Sequence, residues 1–124
     1  MKSAANERCL ALFPEMRERF SDKELSDTDN IGTYILHEDL FMHFVAAHQS
    51  NELMMRRVAA YVEELATSDQ DQIRLAEIGL LESAVSNKML GLAPYLGAAG
   101  RQLVVERVLT RFNVDPTPWK RRRQ

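Results

Sequence analysis

Apolar residues recur along this chain at spacings of three and four, and no segment sustains a two-residue alternation. Cys9, Leu12, Phe13, Met16 and Phe20 make a first helical face. Pro14, within it, must either begin a helix at its first turn or kink one, because it has no backbone N–H to donate. The polar run SDKELSDTDNIG reads as a connection. Neither Gly nor Pro occurs from Thr33 to Ile78. A second helix is expected over 33–48. A third follows after a cap from Ser50 or Asn51, with Met54, Val58, Tyr61, Val62 and Leu65 turned inward.

Ser68 and Asp71 have the spacing of a capping box for a fourth helix over 69–86. Its apolar residues, including Ile73, Leu75, Ile78, Leu80, Leu81 and Val85, go almost all the way round, as in a central helix. Gly91, Pro94 and Gly97 predict short turns. The last helix is predicted over 98–112 from Val104, Val105, Val108, Leu109 and Phe112, with Asn113 and DPTP ending it.

Together these elements predict an all-α protein of four to five antiparallel helices, as a compact bundle or a short HEAT-like stack. The length suits a single helical domain over 1–115, followed by a flexible basic tail over 116–124. No apolar run approaches the roughly 20 residues that span a bilayer. In MKSAANERCLALF the charged Glu7 and Arg8 precede only a short apolar stretch, which makes a poor signal peptide. Cys9 has no second cysteine to pair with and reads as a packed apolar thiol. A cytoplasmic protein without membrane contact is expected.

Charge is unevenly placed. Between Asp22 and Glu82 there are thirteen acids against four bases, and from Ser83 to Gln124 two acids against eight bases. WKRRRQ supplies four of those eight, and the net charge of -2 hides the contrast. Such asymmetry bears on partners and solubility, not on fold. Nucleic acid is not the expected partner, because the basic tail has no basic body behind it and no stacking aromatic beyond Trp119.

All three histidines fall in ILHEDLFMHFVAAHQS. On a helical wheel His37 and His48 lie about 20° apart, yet they are separated by roughly 16 Å along the axis, too far for one metal ion. His43 points elsewhere, near Asp39. Asp39 and His43 offer two ligands where zinc takes three or four. No metal and no cofactor is expected; His37 and His48 flank the core, and His43 is solvated. The chain has no Gly-rich phosphate loop, no nucleophile elbow and no HExxH, so no catalytic residue is assigned. Glu77 falls inside the apolar arc of the fourth helix. A buried carboxylate must be paired, hydrogen-bonded or protonated, and Arg57 or Arg101 is the expected partner. The adjacent acids Glu63 and Glu64, like Glu38 and Asp39, read as solvated helix faces.

Four short motifs fall in a telling order. LFPEM opens the first helix, YVEEL ends the third, IGLLES lies in the fourth, and YLGAAGRQLV enters the last. Their residues Phe13, Pro14, Glu15, Glu63, Glu64, Leu65, Leu81, Glu82, Leu96, Gly97 and Arg101 resemble the pattern of a family of short, all-helical bacterial proteins. Members of that family are often suspected of being immunity proteins encoded beside toxins. Gly100 stands where the family pattern has Ser or Thr, which removes the usual cap of the last helix. The resemblance implies a helical fold and a toxin partner, and it implies no catalytic residues.

Two functions follow as expectations. The first is an immunity protein that neutralises a cognate toxin by occluding its active site through an acidic surface. Asp22, Glu24, Asp27, Asp29, Glu38, Asp39, Asp69, Asp71 and Glu77 are its candidate partner-binding residues. Toxins that attack nucleic acid or nucleotides often carry cationic clefts, and an acidic surface speeds encounter with them. The alternative is a helical adaptor or homodimer without catalytic activity. An exposed patch including Leu53, Met54, Met55 or Met89 would mark it.

Overall fold

Helix caps and breakers set the layout of the chain. The computed structural model describes residues 3–25 and 32–121; the described elements are helical, and no strand occurs among the described residues. No described helix is long and apolar enough to cross a membrane. The chain divides into two compact units, Met1–Phe44 and Val45–Gln124.

In the first unit, α1 (Ala4–Leu12) starts at Ser3, whose hydroxyl accepts the Asn6 N–H at 3.1 Å. Pro14 separates α1 from the short α2 (Met16–Arg19). Ser21 and Glu24 then exchange hydrogen bonds as a reciprocal capping box around the turn at 22–25. The helical run α3 (33–47) supplies its residues 33–44 to this unit. Its middle turn, Leu36–Phe41, is widened: the Met42 N–H reaches back five residues to the His37 carbonyl. Cys9, Phe13, Met16, Leu36, Phe41 and Phe44 are all buried, and the Phe13 and Phe41 rings lie 4.8 Å apart between centroids. Cys9 is thus the packed thiol that its spacing predicts.

In the second unit, α4 (Glu52–Ala66) is capped by Asn51, which accepts the Met54 N–H at 3.0 Å. The five residues expected to turn inward are buried, together with Met55 and Ala59. The run α5 (70–86) begins one residue later than the Ser68 box requires. Asp69 is its cap, accepting the Gln72 N–H at 3.0 Å, because its carboxylate reaches the third amide of a helix that starts at Gln70. At the far end Lys88 takes a φ of +54°, with Lys88 N–H bonded to Val85 and Met89 N–H to Ala84. That is a Schellman ending with lysine where glycine is usual.

The loop beyond is fastened by Gln49, whose side-chain oxygen accepts the Gly91 and Leu92 N–H groups at 2.7 and 3.2 Å. A Cβ on Gly91 would meet the Gln49 carbonyl oxygen at 2.0 Å, so this approach needs glycine. A single turn at Ala93–Tyr95 leads to α6 (98–111). The chain after Pro116 departs from the expected flexible tail. Thr117–Lys120 forms a helical turn, α7, and Trp119 is 1% exposed. A large indole gains more from burial than the flanking charges lose at the surface. Arg122, Arg123 and Gln124 lie outside the described residues.

Candidate functional site

Two groups of charged side chains in the second unit bond to α6 or are carried by it. The first gathers Glu63, Gly97 and Arg101. Gly97 begins α6 and offers no side chain to cap it. Glu63, near the end of α4, supplies that cap from the neighbouring helix: its carboxylate accepts the Ala99 N–H at 3.0 Å and the Gly100 N–H at 2.8 Å. A carboxylate at this end also complements the helix dipole. A Cβ on Gly97 would stand 2.6 Å from the Glu63 carboxyl carbon, so glycine makes room for the cap.

Arg101, one turn on, bonds the Ala93 and Leu96 carbonyls at 3.0 and 2.9 Å and the Trp119 carbonyl at 2.7 Å. It closes the turn before α6 and the turn at α7 with one guanidinium. These residues build the fold. Glu63→Gln keeps one acceptor and loses the charge and the second bond. We expect it to cost about 1–2 kcal/mol. Urea denaturation measures that loss, and faster exchange confined to the Ala99 and Gly100 amides would locate it.

The second group centres on Glu77. The turn Leu75–Leu81 of α5 is widened, with the Glu82 N–H bonded five residues back to the Glu77 carbonyl. Glu77 is buried within it, 6% exposed. Arg107 donates to its Oε1 at 3.1 Å, Arg111 donates to Oε2, and the other arm of Arg111 bonds Glu82. Burial pushes the Glu77 carboxyl up, but the hydrogen bonds from Arg111 and Arg107 and their positive charges together outweigh it and hold the group below its ordinary value. The expected partners Arg57 and Arg101 are replaced by Arg107 and Arg111. The reason is that α6 packs along the widened turn and carries both arginines on the facing side, one helical turn apart. A cleft of about 320 Å³ opens here, lined by Asp71, Ile73, Arg74, Ile78, Arg107 and Arg111 around Glu77. A second cleft of about 270 Å³ has Ala59, Ala60 and Gly97 in its wall, and there Arg56 stacks on the Tyr95 ring at 4.8 Å.

The other predicted residues are spread more widely. Asp22, Glu24, Glu38 and Asp39 are exposed on the first unit, and Asp69 and Asp71 on the second. Asp27 and Asp29 lie outside the described residues. Glu24 and Asp69 already serve as caps. Glu77, counted beforehand among partner-contacting acids, has both oxygens engaged within the chain. His37 goes past flanking the core into it, fully buried, with its Nδ1–H donated to the Thr33 carbonyl at 2.8 Å. Its pKa is lowered to about 4, because burial disfavours the imidazolium more than the Thr33 carbonyl favours it. His43 is exposed and His48 half-buried. Among the described residues no three His, Cys, Asp or Glu side chains gather as a metal ion would require.

Reading Glu63 as a solvated acid missed its role. A signal was present in the sequence: Gly97, which begins the last helix, has no side chain to cap it, so a cap had to come from elsewhere. Comparison of the chain with family models, with curated proteins and with solved structures gives no match.

Proposed function

We propose that this protein binds another protein and performs no catalysis, and that neutralising a bacterial toxin is the form this binding takes. One observation carries the reading. Glu63, Glu77, Arg101 and His37 are committed to caps, ion pairs and carbonyl bonds that hold the fold. Asn6, buried with its side-chain amide unbonded among the described residues, is a neutral group that neither attacks nor titrates. Exposed carboxylates such as Asp71 and Asp39 are placed where a partner can reach them. They suit a cationic partner, because opposite charge steers encounter. The helices at 52–66, 70–86 and 98–111 are read as an antiparallel stack presenting Asp69 and Asp71 at one end of α5, in a cytoplasmic protein. The toxin itself is inferred from the motif resemblance.

The adaptor reading is less favoured. Of the residues expected to mark it, Leu53 is exposed, at 75%, but Met54, Met55 and Met89 are at most 5% exposed, so the adaptable methionine surface is missing although Leu90, Ile35 and Tyr34 are also exposed.

Capture of partners from the source cells by the tagged protein at moderate salt, followed by mass spectrometry, tests the reading. One toxin-like domain recovered at near-equal stoichiometry is the expected result. Recovery of only further copies of this chain, or of many unrelated proteins, would favour the adaptor. With the partner in hand, Asp71→Lys is expected to weaken binding about tenfold, mainly through a slower association rate that salt suppresses in the parent protein. At position 69 the substitution to use is Asp69→Asn, which removes charge and keeps the helix cap.

A further inference from the structure

The Glu77 cleft is poorly explained by stability alone. Arg107 and Arg111 are 57% and 42% exposed, and ion pairs to such side chains contribute little, while burying the carboxylate has a cost. What Glu77 does achieve is orientation: it holds two guanidinium forks side by side at the edge of an open cleft. The turn that carries it is widened, a distortion often found where a helix serves a site. Arg74 lines the same cleft and makes no ion pair among the described residues.

The charges favour a particular ligand. Arg74, Arg107 and Arg111 carry three positive charges, and Glu77 and Glu82, the carboxylates bonded to the latter two, cancel two of them. Asp71 in the same lining brings the formal charge to zero, so net charge draws no anion and a dianion is disfavoured. What favours a monoanion is local: the guanidinium donors of Arg74 and Arg107 that no carboxylate takes among the described residues. Ile73 and Ile78 add apolar wall, and about 320 Å³ lies at the small end of ligand pockets. We propose that this cleft binds a small monocarboxylate. Its carboxylate meets Arg74 and the donors of Arg107 that Glu77 leaves over, and its apolar body lies against Ile73 and Ile78. A planar guanidinium fork matches a carboxylate in geometry as well as charge. The cleft shares Asp71 with the proposed partner face, but binding of a carboxylate in it does not depend on that reading.

The test is a two-dimensional amide NMR titration of the intact protein with sodium benzoate, at ionic strength held constant with sodium chloride. Inorganic phosphate serves as the dianionic comparison. Saturable shifts at Ile73, Arg74, Ile78 and Arg107, with a Kd of about 1 mM, are expected for benzoate. Phosphate should bind more weakly. Arg74→Gln, at an exposed helical position that glutamine suits, should weaken benzoate at least tenfold with the remaining spectrum unchanged. Shifts that grow linearly, that chloride reproduces, or that Arg74→Gln leaves intact would overturn the proposal. Tighter binding of phosphate would overturn it as well.

Discussion

An Arg101→Met variant is expected to lose about 4 kcal/mol of unfolding free energy, with a fall in melting temperature of roughly 15 °C. Methionine replaces most of the aliphatic stem, so the loss isolates the guanidinium. Three carbonyls, of Ala93, Leu96 and Trp119, take its N–H groups at 2.7 to 3.0 Å. Bonds to a charged donor are worth about 1.5–3 kcal/mol each, and partial access of water to the vacated carbonyls reduces the sum. Lysine at this position would recover less than half, because one ammonium cannot reach three carbonyls in a fixed fork. Urea denaturation followed by Trp119 fluorescence measures both variants. A red-shifted native spectrum in Arg101→Met is also expected, since the buried indole stands on the turn that Arg101 anchors. A loss below about 1 kcal/mol would mean that water replaces the guanidinium at little cost.

Acid is expected to destabilise the protein through His37. The folded-state pKa of about 4 lies below the ordinary 6.5, so between these values the unfolded chain binds a proton that the native state refuses. Stability from this group is therefore fully present above pH 6.5 and falls as the pH drops through the window to 4. The difference corresponds to about 3 kcal/mol. Glu77 adds to the loss at the acid end, because its depressed pKa makes its contribution vanish as the pH falls below the ordinary carboxylate value. Unfolding free energies at half-unit steps from pH 7 to 4, for the parent and for His37→Leu, separate the two. The variant should show a flat profile from 6.5 to about 5. An equal slope in both proteins would place the titration elsewhere.

Helices were legible in this sequence wherever burial follows a period. The inward face of α4, from Met54 to Leu65, is as the spacing predicts, and α5 buries Leu75, Leu80, Leu81 and Val85 while Ile73 and Ile78 stay half-buried at the cleft. Periodicity fixes a face but not the backbone's local hydrogen bonding, so the widened turns at Leu36–Phe41, Leu75–Leu81 and Val104–Val108 left no mark in it. That is also why the partner of Glu77 could be required in advance but not named. Which arginine faces a carboxylate depends on how two helices pack. Glu63 was hidden for a similar reason, as its amide partners lie 36 and 37 residues away. Trp119 shows the opposite failing: charge around a single aromatic was read as a solvated tail, although the indole itself is buried.

The proposed function implies a division of labour, in which interior charged groups hold the fold and exposed carboxylates meet a partner. Capture of the cellular partner by Asp71→Lys and by Glu63→Gln, each alongside its melting temperature, tests that division most directly. Asp71→Lys is expected to melt only slightly lower than the parent protein, because it places a cation in the first turn of α5, and to recover at most a tenth of the partner. Glu63→Gln is expected to melt lower and, while folded, to recover the partner in full. Undiminished capture by Asp71→Lys together with loss of capture by a fully folded Glu63→Gln would contradict the claim.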